Sequence, residues 1–311
     1  MLPTISINLW NMDGNTDARI AITREKVLKI STKHIGWTIL SLKLVLISYF
    51  AYGIFQGRDT AFAFDTMFFI FLGVGFCAQL IDGALGMAYG VSSSSMLLYF
   101  GVSPKVASAS VHLAEVFTTG VSGLSHLKFK NLDVKLFVKL VVPGVIGAVL
   151  GAYLLSRIFD GALVKPYIAA YLLILGILIL YKGLANKQRP ERKIKRVGVL
   201  AFLGGMFDSI GGGGWGPIVT SNILKSGKSP RHTIGTVNTA EFFVTFFATA
   251  VFLYHVGVES WQVVLGLILG GILAAPLGAL MAARINKRLL LILVGLVIVI
   301  TSSFTITNTF F

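Results

Sequence analysis

Charge is what this chain has least of. Only 13% of its 311 residues are Asp, Glu, Lys or Arg, roughly half the 25% typical of soluble domains. So few polar side chains cannot cover the surface of a soluble fold. With 55% hydrophobic residues and a mean hydropathy of +0.81, a cytosolic enzyme, a nucleic-acid binder and a disordered chain are excluded together. A single cysteine, Cys77, excludes an internal disulfide and any cysteine-based zinc or iron–sulfur centre. The composition is that of a polytopic membrane protein, and no cofactor is expected.

Acids are scarcer than bases, 13 against 27, giving a formal charge of +14. Apolar runs long enough to cross a bilayer, about 20 residues with roughly 17 as a minimum, fall at 37–56, 105–126, 134–157, 163–183, 231–256, 260–283 and 288–308. Four shorter pieces, 66–81, 85–100, 197–210 and 213–224, read equally as thin crossings or as arms of re-entrant hairpins. Either way, each pair returns the chain to its starting side. With the N-terminus inside, segments 19–33, 128–139, 182–196, 225–231 and 284–288 carry 22 Lys/Arg on one side, and the other side receives 4. The positive-inside rule accounts for that split. The N-terminal segment, residues 1–36, is read as cytoplasmic and retained, because no small-residue cleavage site follows a short apolar stretch. A nucleic-acid partner is not needed to explain the charge.

A shift of 126 residues lays the chain on itself. Asp82, Gly86 and Gly90 meet Asp208, Gly212 and Gly216; Gly101, Ser103 and Pro104 meet Gly227, Ser229 and Pro230; Ala114-Glu115 meets Ala240-Glu241. Twelve of 36 positions from 82 to 117 are identical. Shared apolar composition produces Leu and Val matches, but it does not align Asp, Pro and Glu together. Each copy has two short pieces and three full spans, an odd count of crossings, so the second enters the membrane from the opposite face. The predicted architecture is all-α. A leading helix (37–56) is followed by repeat 1 (66–183), a basic cytoplasmic linker (184–196) and repeat 2 (197–308). The repeats have inverted topology with Gly-rich broken or re-entrant helices, an organisation common in secondary transporters.

Four of the acids, Asp82, Glu115, Asp208 and Glu241, lie in apolar spans as two repeat-related pairs. A carboxylate there costs about 2.5–3.5 kcal/mol on insertion scales and marks a functional interior. Glu115 and Glu241 are candidates for proton coupling or gating, with neutral helix-packing residues as the alternative. Asp82 and Asp208 are candidates for the same role, or are caps for the helix after each break.

Freed backbone amides at a half-helix N-terminus make an anion site. Gly86 and Gly90 in the first copy, and Gly212, Gly213 and Gly214 in the second, are therefore candidate substrate-binding positions. So are the nearby polar residues Ser92, Ser93, Ser110, Thr236 and Asn238. His112 is a proton partner, an anion donor or an interhelical hydrogen-bonding group. No residue set suggests a metal. Gly120-Val121-Ser122-Gly123 fits a Gly-x-Ser-Gly pattern of intramembrane serine proteases, but no counterpart in the second copy supports it.

At the Gly-rich hairpins, the Gly-x-Ser-Pro turns and the Ala107-Ser108-Ala109-Ser110-Val111 and Ile234-Gly235-Thr236-Val237 segments, the sequence resembles the sulfite exporter TauE/SafE family. The likeness covers about 66–308. It implies a multi-pass transporter of the bacterial or archaeal plasma membrane that moves sulfite, sulfonates or related sulfur-containing anions. The expected partners are a small anion, protons as coupling ion and the bilayer, with a homo-oligomer left open. Two other readings are a cation/proton exchanger using the intramembrane carboxylates and, more distantly, an intramembrane hydrolase.

Overall fold

The computed structural model describes residues 31–56, 64–85, 87–185, 196–224, 230–258, 261–281 and 287–310. Among them every regular element is a helix. The leading helix is α1 (Thr32–Gln56). Repeat 1 contributes α2 (Thr66–Leu85), α3 (Tyr89–Tyr99), α4 (Pro104–Lys128), α5 (Val134–Tyr153, extended by a wide turn at Leu154–Ile158) and α6 (Gly161–Leu184). Repeat 2 contributes α7 (Val197–Gly211), α8 (Trp215–Thr220 running into Ser221–Leu224), α9 (Pro230–His255), α10 (Trp261–Met281) and α11 (Lys287–Phe310). The long spans agree with the predicted runs to within a few residues. Most of the N-terminal segment and of the basic linker lies outside the described residues.

Among the described residues four helical stretches, Val134–Ile158, Gly161–Leu184, His232–His255 and Arg288–Phe310, are long and apolar enough to cross a membrane by themselves. Their large side chains on the outer surface, such as Leu163, Tyr167 and Ile300, are exposed, as a lipid-facing surface requires. The protein is a multi-pass α-helical membrane protein. Helix α4 is as long as any of these but much more polar, and the reason is its place. Ser108, His112, Glu115, Thr118 and Thr119 are all buried on it, so its polar groups face protein and are spared from lipid.

The short elements are half-helices. Eleven residues in α3, and ten across the two parts of α8, rise only about 15–17 Å at 1.5 Å per residue, half of a 30 Å hydrocarbon core. Local chemistry opens the chain ahead of each. Gly212 ends α7 in the left-handed region (φ 66°), the usual use of a glycine past a helix end. Ala88 starts α3 at φ 97°, where a residue with a Cβ is strained. Ser103 then accepts a hydrogen bond from Val106 N (3.4 Å) with Pro104 in the first turn, which accounts physically for the first Gly-x-Ser-Pro turn.

The strain at Ala88 yields a test. Relief of about 1–3 kcal/mol is offset by a lost buried methyl, about 0.8 kcal/mol, and by added chain entropy, up to about 1 kcal/mol. Ala88→Gly should therefore fall between about 1 kcal/mol less stable and about 2 kcal/mol more stable than wild type. Ala88→Val, branched at the strained position, should lose at least about 2 kcal/mol. Thermal unfolding in detergent measures both.

The two repeats exchange partners. Helix α2 packs most extensively on α10, and its counterpart α7 packs on α5; α4 packs on α9, and α6 on α11. Every one of these pairings joins the two repeats, and each maps onto itself or another under the repeat alignment. Glycines let the exchanged helices touch backbone to backbone. Gly75, Gly266 and Gly270 face Leu267, Phe68 and Leu72 between α2 and α10. Gly147, Gly151 and Gly205 face Phe202, Met206 and Gly144 between α5 and α7. Small residues serve this close approach wherever membrane helices meet.

Candidate functional site

Each Gly-rich break carries its own acid. Asp82 Oδ1 accepts from the amide of Tyr89 at 3.4 Å, and Asp208 Oδ1 accepts from the amide of Trp215 at 2.9 Å. Both bonds span seven residues and reach the first residue of a half-helix. The capping role foreseen for these aspartates is thus made twice, at equivalent positions. A built-in carboxylate occupies an N-terminal amide that would otherwise attract an external anion.

The breaks cross. A Cβ on Gly90 would lie 2.8 Å from Glu115 Oε1 and 3.0 Å from both Gly212 O and Gly213 Cα. A Cβ on Gly213 would run into the backbone of Gly90 and Val91. The mate of this contact is that of Gly216 with Met87, where a Cβ on Gly216 would be 2.9 Å from Met87 Cβ. Met87 can replace the glycine of the second copy because Gly216 opposite it has no side chain. Hydrogen bonds pin the crossing. Ser94 Oγ donates to Gly212 O, Ser108 Oγ to Ser209 O at 2.6 Å, and Tyr171 OH to Gly213 O at 3.0 Å.

Around the crossing lies an internal cavity of about 10 Å³, room for roughly one water molecule. Asp82, Glu115, Asp208 and Glu241 all line it, together with Tyr89, Gly90, Gly214 and the hydroxyl residues Thr118 and Thr119. The four acids singled out in the sequence therefore share one space. Among the described residues its lining includes no lysine or arginine. Beside it, His112 Nε2 lies 3.3 Å from Asp208 Oδ2.

The other candidates are distributed differently. Ser92 and Ser93 are buried in α3 but do not line the cavity. Ser110 lines a separate, mostly apolar pocket with Thr249 and Phe252. Thr236 accepts from the amide of Asp133 at 2.8 Å and donates to His232 O, joining α9 to the start of α5. Asn238, the counterpart of His112, donates from Nδ2 to Ser122 Oγ at 3.1 Å. Gly86 lies outside the described residues. Ser122, the nucleophile that a hydrolase would need, thus receives its bond from an amide rather than facing a base. Tyr171 was not anticipated. A phenol in the middle of the apolar helix α6 was its one signal, since a buried Tyr hydroxyl usually has a partner.

The sulfite exporter TauE/SafE family matches residues 71–305, a stretch that contains both breaks and all four acids. The chain belongs to the TauE/SafE family. A relative from Bacillus subtilis (strain 168), named probable membrane transporter protein YtnM, is 46% identical over 248 residues, covering 77% of this chain and 82% of that protein. No solved structure matches. Family and relative agree on a membrane transporter, and in this TauE/SafE chain the four-acid cavity at the crossing of the half-helices is the candidate transport site.

Proposed function

We propose that the protein moves a small sulfur-containing oxyanion, such as sulfite or a sulfonate, across the plasma membrane of a prokaryote. Transport is by alternating access of two inverted repeats with the N-terminus inside, and protons are the coupling ions. The observation that carries this reading is the paired capping of Tyr89 N by Asp82 and Trp215 N by Asp208. A carboxylate that takes a proton is a weaker acceptor and gives up its amide. The freed amides of α3 and α8 then bind an oxyanion at two half-helix N-termini. Glu115 and Glu241, facing the same cavity, carry protons in so that the anion does not meet ionised carboxylates. Proton uptake and anion binding become one event. A space for about one water is too small for an oxyanion of four or more heavy atoms, so the half-helices part to admit it.

The absence of Lys and Arg among the described residues that line the cavity favours a second reading, a cation/proton exchanger. One experiment separates them. Purified protein in liposomes is given sulfite or a sulfonate, with and without an inward proton gradient, and lumenal pH is followed with a dye. Anion uptake that rises with the gradient and brings protons with it is the expected result. Proton movement driven by an alkali-cation gradient, with no response to oxyanions, would replace the first reading by the second.

A further inference from the structure

We propose that His112, Glu115 and Asp208 form a binding site for a divalent transition-metal ion of the Zn²⁺ type, which ties α4 of repeat 1 to α7 of repeat 2. The inference holds whichever substrate crosses, because it rests on the geometry of these three side chains.

One ligand atom from each of the three residues lies within 4.8 Å of the other two, and all three residues are buried. His112 Nε2, Glu115 Oε2 and Asp208 Oδ2 have no hydrogen-bond partner. His112 Nε2 and Asp208 Oδ2 stand 3.3 Å apart.

The chemistry of the other half of each residue explains why. His112 Nδ1 is 2.8 Å from the carbonyl oxygen of Ser108, which can only accept. Nδ1 therefore holds the ring proton. Ser108 Oγ, 3.3 Å from the same nitrogen, already directs its own proton to Ser209 O. In the neutral ring Nε2 is then a bare lone pair 3.3 Å from a carboxylate oxygen of Asp208, with a carboxylate oxygen of Glu115 as a third acceptor. With both carboxyls ionised, three acceptors converge without a donor, and a cation resolves such an arrangement.

The surrounding contacts are those of a metal site. Histidine ligands to metals characteristically donate their second nitrogen to a carbonyl or carboxylate, which fixes tautomer and ring direction. Asp208 is held by Trp215 N through Oδ1, leaving Oδ2 for the ion, and the Phe252 ring lies 5.6 Å from the imidazole. Ligand atoms 2.0–2.2 Å from a tetrahedral ion stand about 3.4 Å apart. The His112–Asp208 pair already has that spacing, and with every pair within 4.8 Å Glu115 needs to move in by at most about 1.4 Å. One nitrogen and two carboxylate oxygens suit Zn²⁺, Fe²⁺ or Co²⁺ better than Mg²⁺. The counterpart in repeat 2 has Asn238 in place of the histidine, so the site occurs in one copy only. An ion held there joins two elements that alternating access must separate, and it should slow transport.

The test uses full-length protein in detergent, titrated with ZnCl₂ and, separately, MgCl₂, and followed by thermal unfolding. Zinc should raise the midpoint in a saturable way and magnesium should not. Two variants remove a ligand each while sparing the fold. His112→Asn installs the residue found in repeat 2. Asp208→Asn keeps Oδ1 for Trp215 and sets an amide donor against His112 Nε2. Each should weaken the zinc response by at least about tenfold. X-ray absorption at the zinc edge should show nitrogen and oxygen neighbours with one imidazole. No zinc shift in the wild type, or an equal shift in both variants, would overturn the site. A zinc shift that persists in protein unable to move any oxyanion would support the site while removing the proposed substrate.

Discussion

A Glu115→Gln, Glu241→Gln double variant should lose proton-driven accumulation of the oxyanion while still folding. Each pH unit across the membrane is worth 1.36 kcal/mol per proton. One proton per anion across two units therefore sustains up to about 100-fold accumulation in the wild type. Without the two carboxyls the ratio should fall to about one, leaving at most downhill exchange. Glutamine preserves shape and both kinds of hydrogen bond, so the loss reports protonation rather than packing. Glu115 lies against Gly90 and both glutamates line the cavity, which makes them the two acids with no capping duty. Unchanged accumulation in the double variant, measured with labelled sulfite in liposomes, would remove their assigned role.

Gly213→Ala should do comparable damage by a different route. The added methyl has no side chain to push aside, because its neighbours are the backbone atoms of Gly90 and Val91. Overpacking that side chains can absorb costs about 1–3 kcal/mol; here two half-helices must separate, and the loss should exceed the top of that range. The expected result is a collapse in folded yield, read by size-exclusion chromatography, with flux lost in whatever protein survives. Gly73→Ala is the control. Nothing lies within 4 Å of a Cβ there, and helix propensity should add up to about 1 kcal/mol.

The sequence made the four acids legible because a carboxylate in an apolar run is costly wherever it occurs. The long spans were legible for the same reason in reverse, since their length is fixed by the bilayer. Which hydroxyls face the cavity was not legible. Ser110 and Thr236 lie five residues before Glu115 and Glu241, which at about 100° per residue turns them to other surroundings, and Asn238, three residues before Glu241, bonds Ser122 instead. Thr118 and Thr119, three and four residues past Glu115, come back to its face and line the cavity. Tyr171 arrives from α6, a helix with no motif at all, and bonds to Gly213 O. The convergence of His112 with Asp208 was hidden as well. Those residues are 96 positions apart and fall at unequal places in the two copies, so the repeat alignment itself directs attention away from the pair.

The exchange of helices between repeats also sets a timetable for synthesis. The surface of α2 at Leu72 meets Gly270 of α10, which the ribosome reaches 198 residues later. At about 5–20 residues per second that is roughly 10–40 s. Through that interval α2, with Asp82 near its end, sits in the membrane without the helix made to cover it. The first half of the molecule must remain an unfinished bundle until the second is nearly complete, and whatever shields it meanwhile has to leave before α10 can dock.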